Sequence, residues 1–263
     1  MIDLHCHVLP GIDDGPTTIE DSLALARAAH AAGTRTLVAT PHVNWRYLND
    51  GATIARRVDE LNARLATEGV ALGVRPGAEI DLTRIGDIDA GELSKLALGG
   101  SRWLLLEPPF SAPIVGMDIL VATLRRRDFR VILAHPERCH AFRRDRRTLE
   151  ALIDGGVLAS ITAGSLVGRF GGEVRRFALD LLRDGMVHNV ASDAHDDRRR
   201  PPGIAPEIEQ AGFGPLTDWL TRAVPEAILA GAEIPPRPAV EIPAGAKRRL
   251  FGWWRRGAVE RGA

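Results

Sequence analysis

Short apolar runs alternate along most of the chain with longer segments of helical periodicity. Each run is bounded by turn residues and has the length of a buried strand. Seven strands are predicted, over residues 1–7, 34–40, 71–76, 102–107, 130–135, 158–162 and 187–192. In the segments between them, apolar residues recur three or four positions apart, as in a helix predicted over residues 19–32. Strands that alternate with helices predict an α/β fold with a parallel sheet, either closed into a barrel or doubly wound.

The strand pattern stops after residue 203, and the composition changes from residue 234 onward. Prolines and then basic residues dominate the remaining stretch, which also contains Trp253 and Trp254. We therefore expect a folded domain over residues 1–233 and a Pro-rich, basic, Trp-containing tail over residues 234–263. Three roles for the tail stay open, namely contact with an anionic membrane surface, docking on a partner, and disorder.

Composition and charge exclude several classes of protein. The chain has 34 basic and 34 acidic residues, and 45% of its residues are apolar, which indicates a soluble globular protein. A net charge of zero argues against a general nucleic-acid binder, so we expect no nucleic-acid partner. Two isolated cysteines, the lack of an 18-residue apolar run and the lack of a secretory signal lead us to expect a cytoplasmic protein.

Side chains that can bind metals follow six of the seven predicted strands. They are His5, His7, His42, Glu79, Glu107, His135, Asp193 and His195. His5 and His7 are two positions apart in a strand, so both imidazoles point to the same face. The carboxyl ends of the strands of a parallel α/β barrel surround one mouth, where we expect all these side chains to meet. Asp14, in the loop after the first strand, can join them, whereas its neighbour Asp13 is expected to make a turn.

The types of ligand indicate the metals and the reaction. Imidazole and carboxylate groups without thiolate suit Mn²⁺, Fe²⁺ or Zn²⁺. Nine candidate ligands are too many for one ion and fit two or three. Ions about 3.5–4 Å apart can share a hydroxide nucleophile and stabilise the leaving oxygen of a displacement. The sequence therefore predicts a hydrolase, with a phosphate ester as the favoured substrate.

Five motifs, in a fixed order, carry a resemblance to a known superfamily. They are residues 1–16 (MIDLHCHVLPGIDDGP), Ala39-Thr-Pro-His42, Gly77-Ala-Glu79, His135-Pro-Glu-Arg138 and Ala191-Ser-Asp-Ala-His195. They closely resemble the polymerase-and-histidinol-phosphatase (PHP) superfamily. Within it, they are most similar to the bacterial manganese-dependent protein-tyrosine phosphatases of capsule and exopolysaccharide loci, the CpsB/YwqE-like group. The resemblance extends from residue 1 to about residue 230.

The resemblance implies a distorted seven-stranded βα barrel of the TIM-like PHP type with three divalent metal ions. Mn²⁺ is the first choice, with Fe or Zn as alternatives. By position, it assigns His5, His7, Glu79 and Asp193 to the first ion, Glu79, Glu107 and His135 to the second, and Asp14, His42 and His195 to the third. Arg138 and Arg200 match the arginines that hold the phosphoryl group, for which a guanidinium offers two parallel donors.

The implied activity is hydrolysis of phosphotyrosine by a metal-bridged hydroxide, with Arg138 and Arg200 neutralising the equatorial oxygens of the phosphoryl group. The implied substrate is a phosphotyrosine protein, a tyrosine kinase of polysaccharide export, and the oligomeric state stays open. A cysteine nucleophile is excluded because neither Cys6 nor Cys139 is followed, six positions later, by an arginine. Two alternatives remain. One is a small-molecule phosphatase of the same superfamily, such as a histidinol-phosphate phosphatase, and the other is a regulatory module whose metals are only structural.

Overall fold

The computed structural model of the chain describes residues 1–111 and 114–240. Within these residues, nine strands and a set of helices form a mixed α/β domain. The strands are β1 (Ile2–Cys6), β2 (Thr36–Ala39), β3 (His42–Val43), β4 (Gly73–Pro76), β5 (Glu79–Asp81), β6 (Trp103–Glu107), β7 (Arg130–Ala134), β8 (Leu158–Thr162) and β9 (Asn189–Ala191). All pairings between these strands are parallel. The predicted α/β class with parallel strands is confirmed.

Helices connect most of the strands, as the apolar periodicity predicts. They are α1 (Ile19–Ala31), α2 (Gly51–Thr67), α3 (Ala90–Leu96), α4 (Met117–Arg126), α5 (His140–Arg144), α6 (Arg146–Asp154), α7 (Ala163–Leu166), α8 (Gly172–Arg183), α9 (Ala205–Gln210) and α10 (Val224–Ala230). Short 3₁₀ turns cover Leu82–Asp87, Leu98–Gly100, Pro136–Arg138 and Gly214–Leu216, and a π turn covers Trp219–Ala223. The first helix begins at a capping box in which Thr18 and Asp21 each satisfy the other's backbone N–H.

The strands form two sheets rather than the single seven-stranded barrel that the resemblance implies. One sheet has the order β1-β2-β4, and the other has the order β3-β5-β6-β7-β8-β9. Two short strands, β3 and β5, account for the difference in number, because each follows shortly after a predicted strand. The breaks fall at Pro41, which has no N–H to donate, and at Gly77, where a Cβ would lie 2.7 Å from Val38 Cγ1. Within the described residues, no closed barrel is found.

The two sheets nevertheless contact each other where their strands end. The last residue of β1, Cys6, forms an isolated parallel bridge with Ala194, just after β9. The next N–H, that of His7, donates to the Ala194 carbonyl oxygen at 2.9 Å. On the other side of β1, the Thr40 N–H donates to the Cys6 carbonyl oxygen at 2.9 Å. The carboxyl end of β1 is therefore held between residues that follow β2 and β9.

The buried core consists mainly of strand residues, and its polar members lie at one end. Every residue of β6 and of β8 is buried, as expected for parallel strands that are covered on both faces. Among the buried ionisable residues are His5, His7, Glu79, His135 and Asp193. Burying so many ionisable groups is costly unless they are paired or bind a cation. A functional site is therefore expected at the carboxyl ends of the strands.

Residues 234–240, the start of the predicted tail, lie against the domain. Trp219 Nε1 donates to the Pro235 carbonyl oxygen at 3.0 Å, and Ile234 and Val240 pack against the core. The rest of the predicted tail, residues 241–263, lies outside the described residues, and so do Trp253 and Trp254. None of the helices in the described residues has the length and apolar character that crossing a membrane requires.

Candidate metal centre

All nine predicted ligand residues lie in one cluster at the carboxyl ends of the strands. Their ligand atoms form four sets, and within each set the atoms lie no more than 4.8 Å apart. The sets are His7, Asp14, His42 and His195; His5, His7 and Asp193; His5, Glu79 and His135; and His42, Glu79 and Glu107. The sets share members, so the cluster is continuous and larger than a site for one ion.

Glu79 occupies the middle of this cluster. One carboxylate oxygen, Oε1, lies 2.7 Å from His135 Nε2. The other, Oε2, lies 3.3 Å from the Nε2 atoms of both His5 and His7 and 3.1 Å from His42 Nδ1. A single carboxylate thus faces four imidazoles from three different strand ends. Each of its two oxygens has its own set of imidazole neighbours.

Glu107 shows that negative charge is crowded in the cluster. Its Oε1 lies 3.7 Å from His135 Nε2. Burial, followed by the charges of Glu79 and Asp81, raises the pKa of Glu107 to about 9. Two neighbouring carboxylates cannot both ionise cheaply in a buried place unless a cation lies between them. Glu107 therefore fits the part of a metal ligand.

Asp14 and His195 lie at the open edge of the cluster. Asp14 Oδ1 lies 3.3 Å from His195 Nε2 and 3.5 Å from His42 Nε2. The side chain of Asp14 is 46% exposed, whereas that of His195 is 6% exposed. Solvent and a substrate can therefore reach the cluster from the side of Asp14.

Several buried polar atoms of the cluster lack a hydrogen-bond partner. Among the described residues, they include His42 Nδ1, Glu79 Oε2 and His195 Nε2. Such atoms cost free energy when they are buried and unsatisfied. Imidazole nitrogens and carboxylate oxygens suit Mn²⁺, Fe²⁺ and Zn²⁺. The residues present therefore fit a divalent metal centre, and binding of ions would satisfy these atoms.

Asp13 fixes the ring of His7. Its Oδ1 accepts the Gly15 N–H at 2.9 Å, which makes the predicted turn. Its Oδ2 lies 2.7 Å from His7 Nδ1 and also accepts the His42 backbone N–H at 3.2 Å. Burial alone would lower the pKa of His7, but the hydrogen bond to Asp13 raises it well above its usual range. In the neutral ring, the Asp13 carboxylate favours the tautomer that carries its proton on Nδ1 and leaves Nε2, 3.3 Å from Glu79 Oε2, available to a metal.

Arg138 and Arg200 both contact the same oxygen of Asp193. Arg138 Nη1 lies 2.7 Å, and Arg200 Nη2 2.6 Å, from Asp193 Oδ2. Burial would raise the pKa of Asp193, but the charges of His5 and Arg200 hold it well below its ordinary range. A guanidinium carries five N–H donors, so each arginine can contact Asp193 and still donate to an anion at the edge of the cluster.

The backbone is strained at two of the ligand positions. His135 has a φ of 31° and Asp193 a φ of 50°, in the left-handed region that residues other than glycine avoid. Such residues cost about 1–3 kcal/mol each and concentrate at functional sites. His135 directly follows β7, and Asp193 comes two residues after the end of β9. Their strain is consistent with a site whose side-chain directions matter more than local stability.

Three residues beside the cluster are not among the predicted site residues, namely Phe110, Glu137 and Phe170. The rings of Phe110 and Phe170 lie 4.8 Å and 4.4 Å from the Arg138 guanidinium carbon. Glu137, within the His-Pro-Glu-Arg motif, is fully buried and accepts hydrogen bonds from Thr162 and Ser165. Because Glu137 stands next to Arg138 in this motif, the sequence could have indicated it, whereas nothing near Phe170 in the sequence indicates a site.

Comparison with known proteins adds a family to this geometry. Residues 1–211 match the CpsB/CapC family of capsular polysaccharide synthesis. The tyrosine-protein phosphatase YwqE of Bacillus subtilis is 35% identical over 260 residues, which are 97% of this chain and 100% of that protein. The putative tyrosine-protein phosphatase CapC of Staphylococcus aureus is 34% identical over 204 residues, covering 76% of this chain and 79% of that protein. The tyrosine-protein phosphatase CpsB of Streptococcus pneumoniae is 31% identical, covering 77% and 86%.

A solved structure is also similar. It comes from work on the crystal structures of YwqE from Bacillus subtilis and CpsB from Streptococcus pneumoniae, described as unique metal-dependent tyrosine phosphatases. It superposes on this chain with a TM-score of 0.82 at 34% sequence identity. The similarity covers 92% of this chain and 100% of the solved one. The α/β architecture described above is therefore shared with that solved chain over most of its length.

Proposed function

This chain belongs to the CpsB/CapC family of capsular polysaccharide synthesis, and we propose that it is a metal-dependent tyrosine-protein phosphatase. The observation that carries the proposal is the buried cluster of five imidazoles and four carboxylates with two arginines at its edge. Relatives that are named as tyrosine phosphatases, at 31–35% identity, support the same activity. The reaction is hydrolysis of the phosphate ester of a tyrosine side chain.

We propose that three divalent ions are held by the nine ligand residues, with Mn²⁺ as first choice and Fe or Zn as alternatives. The overlap of the four sets of ligand atoms supports more than one ion, and the position of Glu79 supports its role as a bridge. Bound ions would lower the pKa of a water molecule, making it a nucleophile at neutral pH, and would offset the charge of the phosphoryl group.

The side chains of the protein have their own parts in the reaction. Arg138 and Arg200 would donate to the phosphoryl oxygens, where negative charge is concentrated in the transition state. His7 would be kept in one tautomer by Asp13, whose carboxylate lies 2.7 Å from its Nδ1. Neither Cys6 nor Cys139 would take part, because burial raises the pKa of both thiols and disfavours the thiolate.

The arrangement of the chain leads to two further proposals. We propose that the two sheets together correspond to a distorted seven-stranded barrel, which the bridge between Cys6 and Ala194 supports. The division between a domain over residues 1–233 and a tail over residues 234–263 also stays a proposal. The hydrogen bond from Trp219 to Pro235 supports placing the first part of that tail on the domain surface.

The substrate we propose is a phosphotyrosine protein, a tyrosine kinase of polysaccharide export, in the cytoplasm. Membership of a capsular polysaccharide synthesis family supports this class of partner. Both cysteines are free and buried, which agrees with a reducing compartment.

The experiment compares three substrates with purified full-length protein loaded with Mn²⁺. A phosphotyrosyl peptide, a phosphoseryl peptide of otherwise identical sequence and histidinol phosphate are assayed for phosphate release, with and without a chelator. We expect hydrolysis of the phosphotyrosyl peptide in preference to the other two, and its loss on chelation. Preference for histidinol phosphate would favour the small-molecule phosphatase instead, and inactivity on all three would favour a regulatory module.

A further inference from the structure

β8 is the one predicted strand that no metal-ligand candidate follows. The chain continues from it into the short helix α7 and then into a loop that carries Phe170. Backbone hydrogen bonds brace this loop, from Arg169 N–H to the Gly164 carbonyl oxygen at 3.0 Å and from Gly171 N–H to the Gly168 carbonyl oxygen at 3.1 Å. The ring of Phe170 lies so close to α7 that a Cβ on Gly164 would be 3.3 Å from its Cε2. The ring is therefore held in place against α7.

The Arg138 guanidinium contacts two aromatic rings. Its central carbon lies 4.4 Å from the centre of the Phe170 ring and 4.8 Å from that of Phe110. The Phe110 ring also stacks on the imidazole of His135, with centroids 5.3 Å apart. The side chain of Arg138 is only 17% exposed, and cation–π contacts are stronger when the cation is withdrawn from water. The two rings thus restrict where the guanidinium can lie.

The backbone beside Arg138 is tied to the same connection. Glu137 is fully buried, and its Oε1 accepts the Thr162 N–H at 3.0 Å and the Ser165 hydroxyl at 2.7 Å. Thr162 ends β8, and Ser165 lies in α7. Arg143 Nη1 donates to the carbonyl oxygens of Glu137 and Arg138, at 3.1 Å and 2.5 Å. The end of β8 and the helix after it therefore hold both the turn that carries Arg138 and, through Phe170, its side chain.

A phosphate-binding arginine benefits from being fixed in advance. A free arginine side chain loses much rotamer freedom when it binds a ligand, which weakens binding. A guanidinium whose plane is already set by two rings and by Asp193 loses less. Its N–H donors are then already in place at the edge of the metal-ligand cluster before the ligand binds.

We propose that the connection after β8 is an arginine-positioning element, in which Phe170, together with Phe110, presets Arg138 to bind a phosphoryl group. Phe110 and Phe170 are positioning residues that act through Arg138. This inference rests on the proposed function, since it takes Arg138 to be a phosphate-binding residue.

The test is a double-mutant cycle read by direct binding of inorganic phosphate. Full-length protein loaded with Mn²⁺ is titrated with inorganic phosphate by isothermal calorimetry, for the wild type, Phe170→Leu, Arg138→Ala and the double variant. We expect Phe170→Leu to weaken phosphate binding about 2–10-fold, the factor that ordering one rotamer-rich side chain on binding costs. In the Arg138→Ala background the same change should have no further effect, because the ring acts through that guanidinium.

Two variants serve as controls. Phe170→Tyr keeps the aromatic face and should bind phosphate as the wild type does. Phe177→Leu makes the same substitution at a partly buried phenylalanine of α8 that packs against the core, and should also leave phosphate affinity unchanged. Metal content per chain should be equal in the wild type and the three phenylalanine variants, because neither Phe170 nor Phe177 belongs to a ligand set.

Unchanged phosphate affinity in Phe170→Leu would overturn the proposal. An equal loss with and without Arg138 would also overturn it, because the ring would then have only a structural role. If Phe170→Leu does not fold, Phe110→Leu replaces it in the cycle, since Phe110 is 40% exposed and its loss is less disruptive. If the wild type binds inorganic phosphate but does not hydrolyse the phosphotyrosyl peptide, the proposed function would be refuted, whereas this inference would stand.

Discussion

Replacing Asp13 by Asn should weaken metal binding although the side chain is not itself expected to be a ligand. Three donors point at the two oxygens of this carboxylate, namely the His7 ring and the backbone N–H groups of Gly15 and His42. An amide has the same shape but only one acceptor oxygen. Whichever way the amide turns, its NH₂ group therefore faces at least one of these donors.

The magnitude follows from burial and distance. The side chains of His7 and Asp13 are both fully buried, and the 2.7 Å separation is that of a charge-assisted hydrogen bond. If the amide NH₂ faces His7, Nδ1 must accept, the proton moves to Nε2, and that nitrogen can no longer bind a metal. Losing a carboxylate that orients a ligating histidine typically costs 10–100-fold in affinity, or about 1.4–2.8 kcal/mol.

The assay is titration of Mn²⁺ into metal-stripped protein in competition with a chelator, with the bound metal counted by elemental analysis. Asp59→Asn is the matched control, because it removes the same charge from an exposed position of α2. We expect the control to bind Mn²⁺ as the wild type does. If Asp13→Asn has the affinity of the control, then Asp13 only makes the turn, and the reasoning about the His7 tautomer is wrong.

Two more predictions concern other histidines. His135→Ala should abolish turnover of a phosphotyrosyl peptide and lower the metal content per chain, and wild-type turnover would contradict its role as a ligand. The protein should also lose stability as the pH falls from 6.5 to about 4. The reason is that burial and the charge of Arg237 lower the pKa of His188 in the folded protein to about 4. Over this pH range His188 is protonated in the unfolded chain but not in the folded one. Protonation therefore favours unfolding, and the stability present above pH 6.5 is lost. His188→Gln should flatten this part of the melting temperature's pH profile, and an unchanged slope would refute the assignment.

The convergence of the candidate ligands could be predicted because it depends on local rules. His5 and His7 share a face through the two-residue period of a strand, and Glu107 and His135 end apolar runs that could hardly be anything but buried strands. Parallel pairing then brings such ends together without any knowledge of side-chain packing. The same rules predicted the α/β class.

The division into two sheets and the surroundings of Arg138 depend on tertiary contacts instead. Gly77, at the break between β4 and β5, lies against Val38, a neighbour that only the folded chain supplies. The contacts of Phe170 with Gly164 and Arg138 likewise have no periodic signal, because they join a loop to a short helix and to a separate turn. The turn predicted at Asp13 is confirmed by its bond with the Gly15 N–H. The contact of its other oxygen, Oδ2, with His7 depends instead on where the fold places that ring.

The meeting of β1 with the residues after β9 limits when the whole ligand cluster can assemble during synthesis. Ala194, which bridges to Cys6, comes 188 positions later in the chain. Both sets of ligand atoms that include His7 also include a residue from this late segment, either Asp193 or His195. On the ribosome, the two sets that include His7 therefore stay incomplete until Asp193 and His195 have been made, whereas the other two sets are complete once His135 has been made. The complete cluster therefore forms only after the residues that follow β9 have joined β1, and the proposed phosphatase lacks part of its ligand set until then.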